Sequence, residues 1–545
     1  MEERSCLRSS LVLDQRAWEV TLDGEVLEWH LPPPPSSRGE ESFSVRTAEI
    51  IAVEEVETDK EQSSILKWRK MAKQHGFTVY YVERKQSHRW RCKETTFWCV
   101  DEQLCNQWIQ ALEELLHSQT SRPKHLLVYI NPFSGKQQGK KIYKQKVAPL
   151  FSLASISTEV IVTEYADHAK DNLSEVDLAE YDGIVCVGGD GMFSEVMHAL
   201  IGRTQKDSGI DQNDPSAPLV PCKTRIGIIP AGSTDCICYA TVGINDPVTS
   251  ALHIIVGDSQ PLDVSSVHSN KRFLKYFVSL LGYGFYGDVL KDSEEKRWMG
   301  SVRYDFAGFK NFLSHHYYEG TVSFLPATHT VGSPKDGRIC KTRCRICRQS
   351  KRQLEPLQKY EKDRLGYDTR AQWKVIRGKF LAINVANMSC ACPRSPKGLS
   401  PSAHLADGCA DLILVHKCSR FNFLRYLIRH TNEDDQFNFT FIEVYRIRKF
   451  NFTAQHLNDS DEIIQKKHFG QFCRDHPSCC CTLSSSSTWN CDGETLESSV
   501  IGVQVHCQLI NLFARGIEVP GKYEERSSMI QASSHLARLG SVYSN

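Results

Sequence analysis

The chain has 545 residues, 41% of them hydrophobic, and a formal net charge of +1. At roughly 100–200 residues per domain that length predicts two to four domains, and the near-neutral balance argues against a nucleic-acid-binding protein, whose basic footprint would dominate the count. No run of about 18 apolar residues predicts a membrane span, and the charged start Met1-Glu2-Glu3-Arg4 lacks the apolar stretch of a secretory signal, so the 21 cysteines are expected as reduced thiols of a cytoplasmic, at most peripherally membrane-associated protein.

Short β-like runs come first, at Leu11–Leu13, Trp18–Leu22, Val26–Trp29, Ile50–Val53, Phe77–Val82, His88–Arg91 and Thr95–Val100, with a loop at Pro32–Ser37. A helix is predicted from Asp101 to about His117, with Leu104, Trp108, Leu112 and Leu115 on one face. Strands closed by one amphipathic helix with a central Trp resemble a pleckstrin-homology domain, a β-barrel expected over residues 1–117, followed by a polar linker at 118–125. Between Ile65 and Thr95 there are nine Lys/Arg against two Glu. They form either a solvated face or a basic mouth for phosphoinositide headgroups, with Lys67, Arg69, Lys70, Lys73, Arg84 and Lys85 as candidates.

Residues 126–260 read as strand, loop and helix in succession, which predicts a mainly parallel sheet with its ligand site at the carboxyl ends of the strands. Leu126–Ile130 leads into Asn131, Pro132, Phe133, Ser134 and Gly135. This is not a P-loop, because only three residues separate Gly135 from Gly139 and Lys141 stands where Ser or Thr belongs. It still places backbone donors near a helix N-terminus. Glu159–Val162 ends at Thr163, Glu164, Tyr165, Ala166 and Asp167, and Arg225–Ile229 ends at Pro230-Ala231-Gly232-Ser233-Thr234-Asp235. Between them, Ile184–Val187 ends at Gly188-Gly189-Asp190-Gly191, where glycines admit a phosphate chain to bare backbone and one carboxylate can take a proton from an attacking hydroxyl.

Residues 261–516 are β-rich, with irregular glycines that predict a sandwich-like domain packed on the parallel one, and polar insertions near 329–375 and 455–488. Arg297 and Arg303 suit bidentate phosphate binding. The ordered set Asn-Pro-x-Ser-Gly, Gly-Gly-Asp-Gly and Pro-Ala-Gly-Ser-Thr-Asp resembles the diacylglycerol kinase catalytic domain superfamily, which includes the sphingosine and ceramide kinases. The departure is at Thr234-Asp235, where many relatives carry Gly-Asn or Thr-Gly-Asn. With Gly-Gly-Asp-Gly-Met-Phe-Ser-Glu-Val, Leu-Gly-Tyr-Gly-Phe-Tyr-Gly-Asp and the domain fused ahead, the stretch from about Trp68 to Gly516 resembles the ceramide kinase family.

That resemblance implies Mg2+-dependent transfer of the γ-phosphate of ATP to the primary hydroxyl of ceramide, at plasma-membrane or Golgi-type membranes, with Asp190 as general base. It implies ATP-phosphate contacts from Asn131–Gly135, Gly232, Arg297 and Arg303. Thr163–Asp167 and Asp492, Gly493 and Glu494 are expected toward the ribose and adenine or the metal's waters, and Glu195 toward a metal shell or headgroup. Gly188–Gly191 and Asp288 or Asp292 are expected at the lipid headgroup. Sphingosine or diacylglycerol kinase activity, or a catalytically silent lipid-binding adaptor, are the alternatives.

Cys340, Cys344 and Cys347 have spacing compatible with zinc, the fourth ligand coming from Cys390, Cys392 or a histidine; plain surface thiols are the alternative. Cys479–Cys481 is a weak acylation candidate. Residues 420–430 form a basic amphipathic helix, with Phe421, Leu424 and Ile428 on one face, that would suit calmodulin, a membrane surface or an ordinary domain helix. The tail, 517–545, is polar and expected to be disordered.

Overall fold

The computed structural model describes residues 6–31, 42–56, 75–300, 302–363, 373–432, 434–455 and 486–519. Lys67, Arg69, Lys70, Lys73, Cys479–Cys481 and the tail from 520 lie outside the described residues.

Seven antiparallel strands form the N-terminal sheet: β1 (Leu7–Leu13), β2 (Arg16–Leu22), β3 (Val26–His30), β4 (Ser42–Arg46), β5 (Ile50–Glu55), β6 (His75–Arg84) and β7 (Trp90–Cys99). Their order is β4-β3-β2-β1-β7-β6-β5; among the described residues the path is open at β4 and β5, not the closed barrel expected. Two predicted runs, at 88–91 and 95–100, are one strand, β7. No sequence pattern predicts β4, because Val45 is its one buried residue and leaves no alternation to read. Helix α1 (Glu102–Ser118) begins where the Asp101 carboxylate accepts the Leu104 N–H at 2.7 Å. It buries Cys105, Trp108 and Leu112, and Trp108 stacks on Phe77 at 6.0 Å.

The second region runs β8 (His125–Ile130), α2 (Gly139–Ile142), α3 (Ala148–Leu153), β9 (Ser157–Val162), α4 (His168–Glu175), β10 (Gly183–Gly188), α5 (Asp190–Asp207), β11 (Arg225–Pro230), α6 (Cys236–Val242) and α7 (Pro247–Ile255). Its strands pair in parallel in the order β9-β8-β10-β11. Every residue of β10 is buried, which is why it reads as a continuous apolar run.

The third region contains β12 (Gln260–Ser269), β13 (Arg272–Phe277), β14 (Leu280–Gly284), α8 (Phe285–Glu294), α9 (Val302–Ser314), β15 (Tyr318–Pro326), α10 (Arg345–Asp363), β16 (Lys374–Ala386), β17 (Ala410–His416), α11 (Arg420–Arg429), β18 (Ile442–Ala454), β19 (Trp489–Cys491), β20 (Glu494–Leu496) and β21 (Val500–Leu512). The 13-residue strands β16 and β18 each pair with β15 along one half and β17 along the other, so four strands close a circuit around Phe324, Phe380, Leu412 and Phe450. β21 then pairs with β18 and, in parallel, with β11 through Arg225↔Asn511 and Ile226↔Leu512. The α/β and β-rich regions therefore share one 14-stranded hydrogen-bonded sheet, where a sandwich-like domain packed on the parallel one was expected.

The N-terminal domain docks on α7 and on the segment after β21. The Trp90 N–H donates to Thr249 at 3.0 Å, the Trp90 ring lies 3.8 Å from that of His253, and Arg91 pairs with Asp246 at 2.7 Å. Buried Glu49 accepts from Arg84 and Arg515, both at 2.7 Å, and Arg84 also reaches Glu518 at 3.1 Å. Arg84 is thus an interdomain residue and is not turned out toward a headgroup, while Lys85 pairs with Glu83 at 2.6 Å.

Candidate active site

Three loops at the carboxyl ends of β8, β10 and β11 meet by direct backbone contact. The Gly189 N–H donates to Ser134 Oγ at 2.9 Å. A Cβ on Gly232 would lie 2.5 Å from Gly189 Cα, and one on Gly135, already at φ +54, would lie 2.6 Å from the Ala231 carbonyl. Gly189, Gly232 and Gly135 are therefore required by loop-on-loop packing. Gly191 differs: among the described residues nothing lies within 4 Å of where its Cβ would be. Of the glycines assigned to ATP or substrate contact, Gly191 and Gly493 face open space among the described residues, and of the two Gly191 lies beside Asp190.

Asp190 is the first residue of α5 and is partly exposed. Its two carboxylate oxygens accept the Cys236 and Ile237 N–H groups of α6, each at 3.0 Å, which fixes the side chain. Burial raises its pKa, the two N–H bonds oppose that, and the charge of Asp492 adds to the rise. Asp235, which precedes α6 in a left-handed conformation, accepts the Gly232 N–H at 3.0 Å. Burial, then the charge of Asp190, push Asp235 up to about 7. Two carboxylates thus share one helix end. Around them, burial holds the Cys236 and Cys390 thiols protonated, and the charges of Asp190 and Asp492 reinforce this.

Asp492 sits at φ +47 in the turn between β19 and β20. It accepts the N–H groups of Val278, Ser279 and Leu280 at 2.7, 3.0 and 2.8 Å, and the Ser279 hydroxyl at 2.9 Å. With these partners its carboxylate ties the turn to the entry of β14. Gly493 completes the turn at φ +88, and Glu494 pairs at the surface with Lys275.

Family models match three consecutive stretches: a ceramide kinase PH domain at residues 7–112, a diacylglycerol kinase catalytic domain at 125–267 and a ceramide kinase C-terminal domain at 277–525. The ceramide kinase of Homo sapiens is 60% identical over 531 residues, covering 96% of this chain and 98% of that relative. The chain belongs to the ceramide kinase family. The ceramide kinase of Mus musculus is 62% identical over 90% of this chain and 93% of its own, and that of Oryza sativa subsp. japonica 31% identical over 81% and 86%.

In this ceramide kinase family member the remaining candidates divide by what they touch. Thr163 is buried and its N–H closes β9 on the Ile130 carbonyl at 2.9 Å. The Glu164 N–H donates to His168 Nδ1 at 3.1 Å, exposed Tyr165 stacks on His168 at 4.6 Å, and Asp167 precedes α4 at φ +66, with Ala166 between them. Glu195 accepts the Ala169 N–H at 2.8 Å and anchors the start of α4. Asn131 Oδ1 accepts the Phe133 N–H at 2.9 Å, in a turn that carries Pro132. Arg303, on α9, pairs with Glu294 at 3.2 Å and donates to the Tyr304 hydroxyl at 2.7 Å. The side chain of Arg297 lies outside the described residues.

Asp288 accepts from the Tyr318 hydroxyl at 2.7 Å and the Ser487 hydroxyl at 2.5 Å, whereas Asp292, one turn later, meets Lys310 at 3.0 Å and Asn311 at 2.8 Å. Asp235, named in the sequence as part of the departing loop but given no role there, lies beside Asp190. Its signal was present: an acid directly ahead of the apolar helix Cys236–Val242, at the position where the loop departs from its relatives. Cys390 and Cys392 do not join the other cysteines; Cys390 lies by Asp190 and Asp492, and Cys392 bridges to Ser395.

Proposed function

We propose that the chain transfers the γ-phosphate of ATP to the primary hydroxyl of ceramide, giving ceramide 1-phosphate, with Asp190 as general base. The observation that carries this reading is a carboxylate locked by two backbone N–H groups beside Gly191, whose face is open. The lipid oxygen attacks phosphorus, the bond to the β-phosphate oxygen breaks and ADP leaves, while the hydroxyl proton passes to Asp190. Its raised proton affinity suits that transfer. Arg303, on α9, would exchange its pairing with Glu294 for a phosphate oxygen, and Arg297 is proposed for the same role from the sequence. The Asp190–Asp235 pair, two acids crowded at one helix end, fits a divalent ion bound with ATP. Asp235 would hold that Mg2+, which when bound neutralises phosphate charge.

Peripheral membrane attachment belongs to the same reading. Val302, Phe306, Phe309 and Leu313 are all exposed and share one face of α9, with exposed Trp298 just before it. On α11, exposed Phe421, Leu424 and Ile428 lie nearby, because Phe312 of α9 stacks on Phe423 of α11 at 6.3 Å. Exposed Arg420, Arg425 and Lys417 border them. An apolar face of this extent with a basic rim fits a lipid surface, plasma-membrane or Golgi-type, from which ceramide would be drawn. Calmodulin would have to pull out Phe423 and Tyr426, which are fully buried, so lipid is the favoured partner of this helix. Phosphoinositide binding by the N-terminal domain now rests on residues 67–73, since Arg84 is engaged between domains.

The test is transfer of labelled phosphate from ATP to ceramide, sphingosine or diacylglycerol in mixed micelles by the purified chain. Ceramide should be the preferred acceptor, and Asp190→Asn should lower turnover by roughly 10² or more. Near-normal turnover with native melting removes Asp190 from this role; transfer to none of the lipids favours an adaptor.

A further inference from the structure

The cysteines of the inserted segment are brought together with a residue that lies 57 positions after the last of them in the chain. Cys340 precedes α10, Cys344 sits immediately before it and Cys347 in its first turn, while His404 lies on the stretch leading into β17. Cys340 Sγ is 3.7 Å from Cys347 Sγ, and Cys344 Sγ is 3.3 Å from His404 Nδ1. All four donor atoms lie within 4.8 Å of one another, with Cys340, Cys347 and His404 buried. A tetrahedral zinc ion with bonds of about 2.3 Å to sulfur and about 2.0 Å to nitrogen requires S···S edges of about 3.8 Å and S···N edges of about 3.5 Å. The 3.7 and 3.3 Å contacts match those edges, and the remaining donor pairs stay within 4.8 Å. They also exceed the roughly 2.05 Å of a disulfide.

We infer that Cys340, Cys344, Cys347 and His404 form a structural zinc site. Its four protein ligands leave no open position, as in closed structural sites rather than catalytic ones. The ligands join the 340–347 segment to the stretch before β17, where the Leu405 carbonyl accepts the Asp263 N–H at 2.8 Å and Asp263 accepts the Gly408 N–H at 2.6 Å.

The same segment grips the end of the catalytic region. The Thr342 N–H donates to the Ile517 carbonyl at 2.9 Å, and its hydroxyl to the Gly516 carbonyl at 3.1 Å. Gly516 and Ile517 lie between Arg515 and Glu518, the two residues that hold Glu49 and Arg84 of the N-terminal domain. The zinc site therefore braces the surface on which that domain docks.

The experiment uses the full chain, purified with a reductant and without chelator, and measures metal by mass spectrometry. About one zinc per chain is expected. Cys344→Ser and His404→Ala should lose most of it, and His404→Cys, which supplies a thiolate as the fourth ligand, should keep it. Exchange of zinc for cobalt in the parent protein should give the visible absorption of tetrahedral cobalt with thiolate ligands, a readout that needs no variant to fold. Stripping the metal should raise hydrogen exchange at 515–518. Zinc-free parent protein, with these thiols free or with Cys340 and Cys347 oxidised to a disulfide, overturns the inference. So does equal zinc in the parent and in the Cys340→Ser, Cys344→Ser, Cys347→Ser triple variant.

Discussion

Asp235 and Asp190 compete for protonation at one helix end, and the competition has a sign. Asp235 is raised from 3.8 to about 7, so between those values the folded chain holds a proton that the unfolded chain has released. Stability must then fall as pH rises through that window. Asp235→Asn keeps an oxygen for the Gly232 N–H but carries no charge. Its urea midpoint should exceed the parent's at pH 8 and match it near pH 4; a variant no more stable than the parent at pH 8 would remove the charge conflict. The glycines separate in a similar way. Gly232→Ala forces a methyl to 2.5 Å from Gly189 Cα and should cost about 1–3 kcal/mol, seen in the melting temperature. Gly191→Ala meets nothing within 4 Å among the described residues, so melting should be preserved while KM for ATP or lipid rises. Unchanged KM would place the substrates elsewhere.

Helix α9 carries its apolar residues outward, against the usual direction of an amphipathic helix in a folded domain. Replacing Phe306 and Phe309 together by Ser should leave melting nearly unchanged, because both are already exposed. Sedimentation with ceramide-bearing vesicles should fall several-fold, and activity in vesicles should fall more than in detergent micelles. Equal sedimentation would show that the stripe meets something other than lipid. The 3.6-residue periodicity of α1 and α11 was readable in advance, though that of α9 was not, and β8, β10 and β11 were readable because buried parallel strands are continuous apolar runs. Helix α10 was not readable: it is polar and basic, contains Pro356 and lies inside an apparent insertion. The partners of Glu195 and Asp492 were equally hidden. Each carboxylate is consumed by backbone 26 and about 213 residues away, a pairing that only the folded topology creates. The fourth member of the cysteine cluster was narrowed to a cysteine or a histidine by chemistry, but selecting His404 needed the stretch before β17 to be placed beside α10.

At the scale of the whole molecule, β21 is the joint. It continues the parallel sheet beside β11, closes the β-rich region beside β18, and then delivers Arg515 and Glu518 to the N-terminal domain. Glu49 is the centre of that contact, lowered to about 2: burial works against its charge, but Arg84 and Arg515 more than offset it. For an acid with a depressed folded value, the stabilisation is complete above the unfolded value of 4.5 and is lost as pH falls toward 2. Glu49→Gln leaves two guanidinium groups without their shared carboxylate and should cost about 3–5 kcal/mol at pH 7, the usual penalty for removing one member of a buried ion pair. The cost should shrink as the pH is lowered below 4, where the parent loses the same interaction. Because Trp90 and Arg91 hold the neighbouring contact with α7, the expected result is local release, with faster hydrogen exchange at 84–91 and 515–518 and little change in α5. Equal exchange in parent and variant at pH 7 would mean that the α7 contact alone docks the domain.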